Sequence, residues 1–495
     1  MRVYNRGKNS FYWKGESVMD AKKRPAQPFL YDGSFDVFTY RIPCLLTLND
    51  GDIMAATDLR VNILDSPNNI ELGVCVLNSA TGEWGEPIVA HHFDDYDQQE
   101  GTNTFVPVKD SASFIDAAIT QTANGRIFML VDAMPANAGG GIGGTAFNGT
   151  VKINGQSYYA LTTGDNTLAT GYEYYIYPNP AHTKECEKYT VKRVSDNSDT
   201  EYTLDGRFNV YQNGVALTVP QKPKLEIDVP MNIFYSASVL KLHRTSYFYL
   251  SYSDDKGNTW SDPMLIGSEY RRAGEDVFNK APGVGLVIKN GKYAGRILFP
   301  LYHGDNSSKN ISVSCLYSDD NGVTWQMSET ISKGTFTNAT EAQLVELPDG
   351  TVRIYSRGQE DHILWADSTD GGLTFGEFRV DKALPYCRDC MVSVLALPWK
   401  IDGRDAIAIS YPEGNKPGGN RTNGIIKIGL LNKTDDGYEV EWKYSKFIDK
   451  SYWYSCLATN GQRIAVLYER DMAVHSCELV YLELPLEAFG IIDVD

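Results

Sequence analysis

Short β-branched and aromatic runs alternate with polar turns along most of the chain, as in "YEYYIY" (172–177) followed by "VSDNSDTEYTLDGRFNVYQNG" (194–214). Such patterning predicts strands joined by tight turns. One turn recurs. "SDDKGNTW" (253–260), "SDDNGVTW" (318–325) and "STDGGLTF" (368–375) share the form S-x-D-x-G-x-T-[WF]. Ser and Asp can bond nearby backbone groups, Gly supplies a positive φ, and Thr with Trp or Phe re-enters a strand, so each copy predicts a hairpin. The copies start 65 and 50 residues apart, close to one four-stranded propeller blade each. Degenerate relatives stand at "NSATGEWGEP" (78–87) and "NKTDDGYEVEW" (432–442). The pattern predicts an all-β Asp-box β-propeller of several blades. It speaks to fold and not to chemistry.

The period breaks once. Far more residues than a blade needs separate Ser79 from Ser253, and the excess concentrates around 150–228, after the Gly-rich "AGGGIGG" (138–144). This predicts a small β domain at 150–228 inserted into a propeller formed by 1–149 and 229–495, with propeller sequence resuming at "VPMNIFYSAS" (229–238).

Composition agrees with strands: 495 residues include 31 Tyr, 19 Phe, 8 Trp and 44 Gly. The formal charge of −17 argues against nucleic acid and anionic membrane surfaces as partners, so an anionic ligand needs a local cluster of cations. No apolar run reaches 18 residues, which predicts no transmembrane helix, and "MRVYNRGKNSFYWKGES" has no apolar core of a signal peptide. Eight cysteines are too dilute for a disulfide scaffold, and the C-x-x-C of Cys387 and Cys390 lacks zinc-finger or thioredoxin context, so buried thiols are expected. No metal cluster and no cofactor are expected.

Within "FTYRIPCLL" (38–46), Arg41 lies inside a strand pattern with Pro43 two residues later, which implies an edge strand. A lone arginine there is ordinarily paired with a carboxylate. Two more occupy strand-like settings: Arg357 in "TVRIYSRG" (351–358) and Arg421 in "GGNRTNGIIKIGLL" (418–431). Three converging guanidiniums would repel one another unless an anion lay between them, and a carboxylate fits their forked geometry.

The "YRIP" element, the three boxes, "EAQLVELPDG" (341–350) with the Arg that follows it, the late Arg, "YSCL" (454–457) and "LYE" (467–469), in that order, resemble the bacterial sialidases, or neuraminidases. The inserted domain resembles that of their large secreted branch, which includes hydrolases and intramolecular trans-sialidases. The resemblance implies a six-bladed propeller, and that Arg41, Arg357 and Arg421 grip the sialic acid carboxylate, that Glu469 holds Arg41, that Tyr454 is the nucleophile and that Glu341 is its base. It implies Asp65 as general acid, 24 residues after Arg41, with Asp58 as the alternative. The family's substrate-touching Arg usually stands six residues before that Asp; Arg60 stands five before. Ile115 and Asp116 of "FIDAA" (114–118) match positions that contact the N-acyl group and the 4-hydroxyl.

The expected function is retaining exo-α-sialidase action on sialylated glycans by a monomer. Intramolecular trans-sialidases tend to carry an aromatic wall, often Trp, after the nucleophile; "ERDMAVHSCEL" (469–479) has none, which favours hydrolysis. A non-catalytic sialoglycan-binding propeller should have lost Tyr454 or Glu341, and a two-carboxylate glycosidase for neutral sugars leaves three arginines unexplained. Sequons at Asn338 and Asn420 adjoin Glu341 and Arg421, which fits a bacterial protein exported from a longer precursor better than a eukaryotic secretory one.

Overall fold

The computed structural model describes residues 39–95, 108–139, 147–182, 188–219, 229–336, 338–358, 362–385, 389–414, 420–473, 476–492 and 494. Among them the regular elements are β-strands and short 3-10 turns. Six sheets, antiparallel except where Gly283–Val284 runs parallel to Ser113–Gln121 in the second, are arranged as the expected six-bladed propeller. Their innermost strands are Thr39–Thr47, Ser113–Gln121, Val277–Lys280, Ala339–Glu346, Ser393–Ala396 and Ser455–Asn460. The ring closes between the first and sixth blades, where Thr47 Oγ1 donates to the Thr459 carbonyl at 2.7 Å and accepts from Thr459 N at 3.0 Å.

Burial follows position in the blade. Second strands such as Ile53–Arg60 and Ile127–Met134 are buried at every residue, because neighbouring blades cover both faces. The outer strand Gly437–Ser451 of the fifth blade instead alternates exposed and half-buried residues.

All three complete Asp boxes turn the chain from the third to the fourth strand of a blade. In the second copy, Ser318 Oγ donates to Asp320 at 2.9 Å and accepts from Gly322 N at 2.9 Å, while Asp320 accepts from Thr324 N at 2.8 Å. Gly322 has φ +84°, and a Cβ there would collide with the Phe128 ring of the preceding blade. The glycine therefore serves both the turn and the seam between blades.

The insertion lies inside the second blade, between its second strand Ile127–Met134 and its third, Tyr247–Ser253. Seven strands from Thr150–Ile153 to Val215–Ala216 form one sheet, which also takes in Lys241–Leu242 alongside Gln156–Thr162. Tyr159 and Leu161 of the insert share a core with Phe234 and Tyr247.

Candidate active site

At the end of the propeller opposite the Asp boxes, innermost strands begin and the backbone is irregular. Thr39–Thr47 is an edge strand whose ladder breaks between Arg41 and Cys44, around Pro43. Ile42 has φ +58°, an outlier for a β-branched residue that costs on the order of 1–3 kcal/mol. Similar breaks fall between Ile115 and Ala118, where Asp116 has φ +65°, and between Ala339 and Ala342. Bulges re-aim side chains. These three deliver Arg41, Ile115 with Asp116, and Glu341 into one cavity of about 440 Å³.

Arg357, Arg421, Tyr454 and Asp65 reach the same cavity from four other segments. The Arg41 guanidinium carbon lies 5.8 Å from the Tyr454 ring centroid, that of Arg421 lies 5.2 Å away, and Arg357 donates to the phenol oxygen at 3.0 Å. All three arginines thus surround one tyrosine. Each is held from behind. Arg41 Nε donates to Glu469 Oε1 at 3.1 Å, and the same oxygen accepts from Ile42 N at 2.8 Å. Glu469 is fully buried, so the pair fixes Arg41 in a place where neither charge could stand alone.

Tyr454 donates its phenolic proton to Glu341 Oε1, and the other Glu341 oxygen accepts from Arg357 at 2.8 Å. Burial, then the neighbouring Glu341 charge, push the Tyr454 phenol well above its usual pKa. It is neutral at rest, with a carboxylate already on its proton. Burial likewise raises Asp116, against the opposing charge of Lys280.

Asp65 sits on the loop between Ile53–Arg60 and Ile70–Asn78, with its side chain 68% exposed. A reciprocal amide pair, Asn62 with Asn68 at 3.0 Å in both directions, clasps that loop. Asp65 accepts from Arg60 at 2.6 Å and from Arg41 at 3.3 Å. Its crowded setting would raise its pKa, but the Arg60 and Arg41 charges outweigh this and hold it at about 2.

Arg60 does not line the cavity. It is fully buried behind the loop, bonded to Asp58 at 2.7 Å, to Asp65, and to the Leu64 carbonyl at 3.2 Å, so its contacts brace the loop. Asp58 is also fully buried and outside the cavity wall, accepting from Asp116 N at 3.1 Å. Burial raises its pKa despite Arg60.

Asp389 and Trp453 escaped the sequence reading. Asp389 accepts from Arg357 Nε at 2.6 Å, and its carbonyl accepts from Arg421 at 2.6 Å, so one residue aligns two arginines. Its only signal was its place inside the C-x-x-C, of which Cys390 is buried and Cys387 lies outside the described residues. Trp453 lines the cavity 4.8 Å beneath Arg421, and its adjacency to Tyr454 in "YWYS" was a usable signal. Of residues 469–479, on which the missing aromatic wall was argued, the side chains of 471–476 lie outside the described residues.

Residues 231–409 match the family model of a BNR repeat-like domain. Anhydrosialidase of Macrobdella decora is 33% identical over 87% of this chain and 58% of its own length. Sialidase B of Streptococcus pneumoniae is 30% identical over 87% of this chain and 61% of its own. The chain thus spans about three fifths of the length of these curated relatives. The intramolecular trans-sialidase from Ruminococcus gnavus, solved with oseltamivir carboxylate, superposes with a TM-score of 0.82 at 30% identity, covering 94% of this chain and 98% of that one. With the matching fold and a shared course over nearly the full length of that structure, this chain belongs to the sialidase family.

Proposed function

We propose that the protein is a retaining exo-α-sialidase that removes terminal sialic acid from glycoconjugates through a covalent sialosyl intermediate on Tyr454. The observation that carries this reading is the Tyr454 phenol, proton-bonded to Glu341 and surrounded by Arg41, Arg357 and Arg421. The three arginines would grip the substrate carboxylate, with Arg357 and Arg421 held by Asp389 and Arg41 by Glu469. As the glycosidic bond breaks, positive charge grows on the ring carbon beside that carboxylate. A carboxylate nucleophile would meet repulsion there, whereas a neutral phenol does not, and sialidases are the known case of a Tyr nucleophile. Glu341 takes the phenolic proton as oxygen attacks carbon. Attack by water on the opposite face then restores the starting configuration.

Asp65 gives a proton to the departing sugar oxygen. At rest it is ionised by Arg60 and Arg41. A bound carboxylate would engage Arg41 and add negative charge nearby, and both effects raise the Asp65 pKa towards a working acid. Ile115 and Asp116 line the wall against the N-acyl group and ring hydroxyl.

A second reading, intramolecular attack yielding an anhydro sugar, is supported by the relatives named anhydrosialidase and intramolecular trans-sialidase. Mass analysis of a sialyllactose digest separates the two, since the anhydro product is lighter by one water; no release of either product would sink both. Origin in a bacterium and export belong to the same reading, because a glycan at Asn338 would stand beside Glu341; Asn338 is itself buried, with its amide oxygen accepting from Ile311 N at 3.1 Å, so an attached glycan would have to displace that packing. Glycan mapping after expression in a eukaryotic secretory host checks this, with Asn338 expected unmodified.

A further inference from the structure

A second cleft, of about 460 Å³, lies on the flank of the propeller and shares no lining residue with the catalytic cavity. Four pieces of chain form it: residues 88–94 at the end of the first blade, Tyr249 and the Asp-box turn of the second blade, the corner of the insert at Arg207 and Asn209, and the segment after the insert at Pro230, Asn232 and Tyr235. The insert meets the second blade at this corner. Arg207 Nε donates to Asp262 at 3.1 Å, and a side chain at Gly206 would collide with the same carboxylate.

Trp260 in its wall can be compared with its repeat partner. Trp260 and Trp325 occupy the same box position, and each indole N–H donates to the carbonyl of its box glycine, at 3.2 and 3.1 Å. Trp325 is then buried against Phe128 and Phe299. Trp260 makes the same turn yet stays partly open, facing the cleft. Its exposure is therefore not a demand of the repeat.

Groups with unused hydrogen-bonding capacity surround this ring. Asn258 spends its amide N–H on the Asp255 carbonyl at 2.6 Å, and His92 spends Nδ1 on Asp94 at 3.0 Å. Among the described residues, no bond engages Asn258 Oδ1, His92 Nε2 or the terminal nitrogens of Arg207, whose side chain is 66% exposed. An aromatic face flanked by a planar donor, an imidazole and an amide acceptor is the chemistry that receives a sugar ring. The C–H face stacks on indole, and adjacent hydroxyls bridge donor and acceptor. Charge selects which sugar. The two groups able to carry positive charge already sit on carboxylates, Arg207 on Asp262 and His92 on Asp94, so a further anion gains little.

We infer that this cleft binds a neutral pyranose of a glycan, apart from the catalytic cavity and independently of the chemistry assigned to Tyr454. The probe is N-acetyllactosamine, which carries no carboxylate for the arginine triad. Saturation-transfer NMR on the full chain should show transfer to the sugar ring protons, with affinity in the millimolar range, weakened about tenfold or more in Trp260→Ala. Because Trp260 also closes its turn, Arg207→Ala on an exposed side chain is the variant that spares the fold, and the same weakening is expected there. Its turnover of an aryl sialoside should equal that of the parent. The inference is overturned by absence of transfer at ~10 mM sugar, by equal binding in Arg207→Ala, or by binding that Arg41→Ala abolishes.

Discussion

The two ends of the propeller are built by opposite rules. At the Asp-box end each turn is held by residues two to four apart, as Ser318, Asp320, Gly322 and Thr324 show. At the arginine end the decisive bonds span the chain: Arg41 reaches Glu469 across 428 residues, and Tyr454 reaches Glu341 across 113. The box end repeats one geometry in three blades. The arginine end breaks it with three bulges and left-handed residues such as Ile42 and Asp116. Regular turns support the scaffold so that strain and buried charge can be concentrated where the ring of blades converges.

The comparison is broken most directly at Tyr454. Tyr454→Phe keeps the buried ring and removes one oxygen, so the fold should persist while kcat on an aryl sialoside falls about a thousandfold, or ~4 kcal/mol. Parental kcat in this variant would remove the nucleophile from the site. Glu469→Gln tests whether the arginine end depends on long-range charge. Leaving Arg41 buried without its counter-ion should cost about 3 kcal/mol of stability in urea unfolding, with weaker capture of sialic acid as well. An unchanged unfolding midpoint would show that Arg41 does not need this partner.

The same contrast explains what the sequence could disclose. The boxes were legible because a local turn carries its whole mechanism in eight letters. Arg41, Arg357 and Arg421 stood out as arginines in strand-like settings, whereas the roles of Glu341, Tyr454 and Glu469 came through resemblance to a known family; the structure brings all six into one cavity or directly behind it. Spacing alone could not say that Arg60, the last residue of its strand, lies behind the loop, because its partners there, the Leu64 carbonyl and Asp65, reach it only once the loop is folded. Asp389 was hidden because its work is done by a side chain and a carbonyl together. The insert's use of Lys241–Leu242 was hidden because a two-residue strand leaves no period to detect.

Asp65 sharpens the comparison through pH. Its pKa is depressed in the free protein, so any stability it supplies is present above the ordinary carboxylate value and lost as pH falls towards 2. A ligand carboxylate on Arg41 raises that pKa. By linkage, binding must then take up protons, and affinity for a sialic acid analogue should rise a few-fold as pH falls from about 6 to 4. Calorimetry in two buffers of different ionisation heat measures the uptake. A buffer-independent heat across that range would disconnect Asp65 from the arginines.

The smallest effect is expected at the opposite end. Asp320→Ala removes the acceptor for Thr324 N at 2.8 Å and Thr324 Oγ1 at 2.6 Å, and frees Ser318 Oγ, which donates to it at 2.9 Å. The turn is solvent-accessible, so water replaces part of what is lost, and the cost should be about 1–2 kcal/mol in urea unfolding. Gly322 keeps its φ and its seat against Phe128, so the seam between the second and third blades survives. If scaffold and site are as separate as their bonding suggests, kcat/KM on an aryl sialoside should stay within about twofold of the parent. A tenfold fall in a variant that remains folded would mean that strain at the arginine end is set by the turns below it, and the two ends would have to be treated as one cooperative unit.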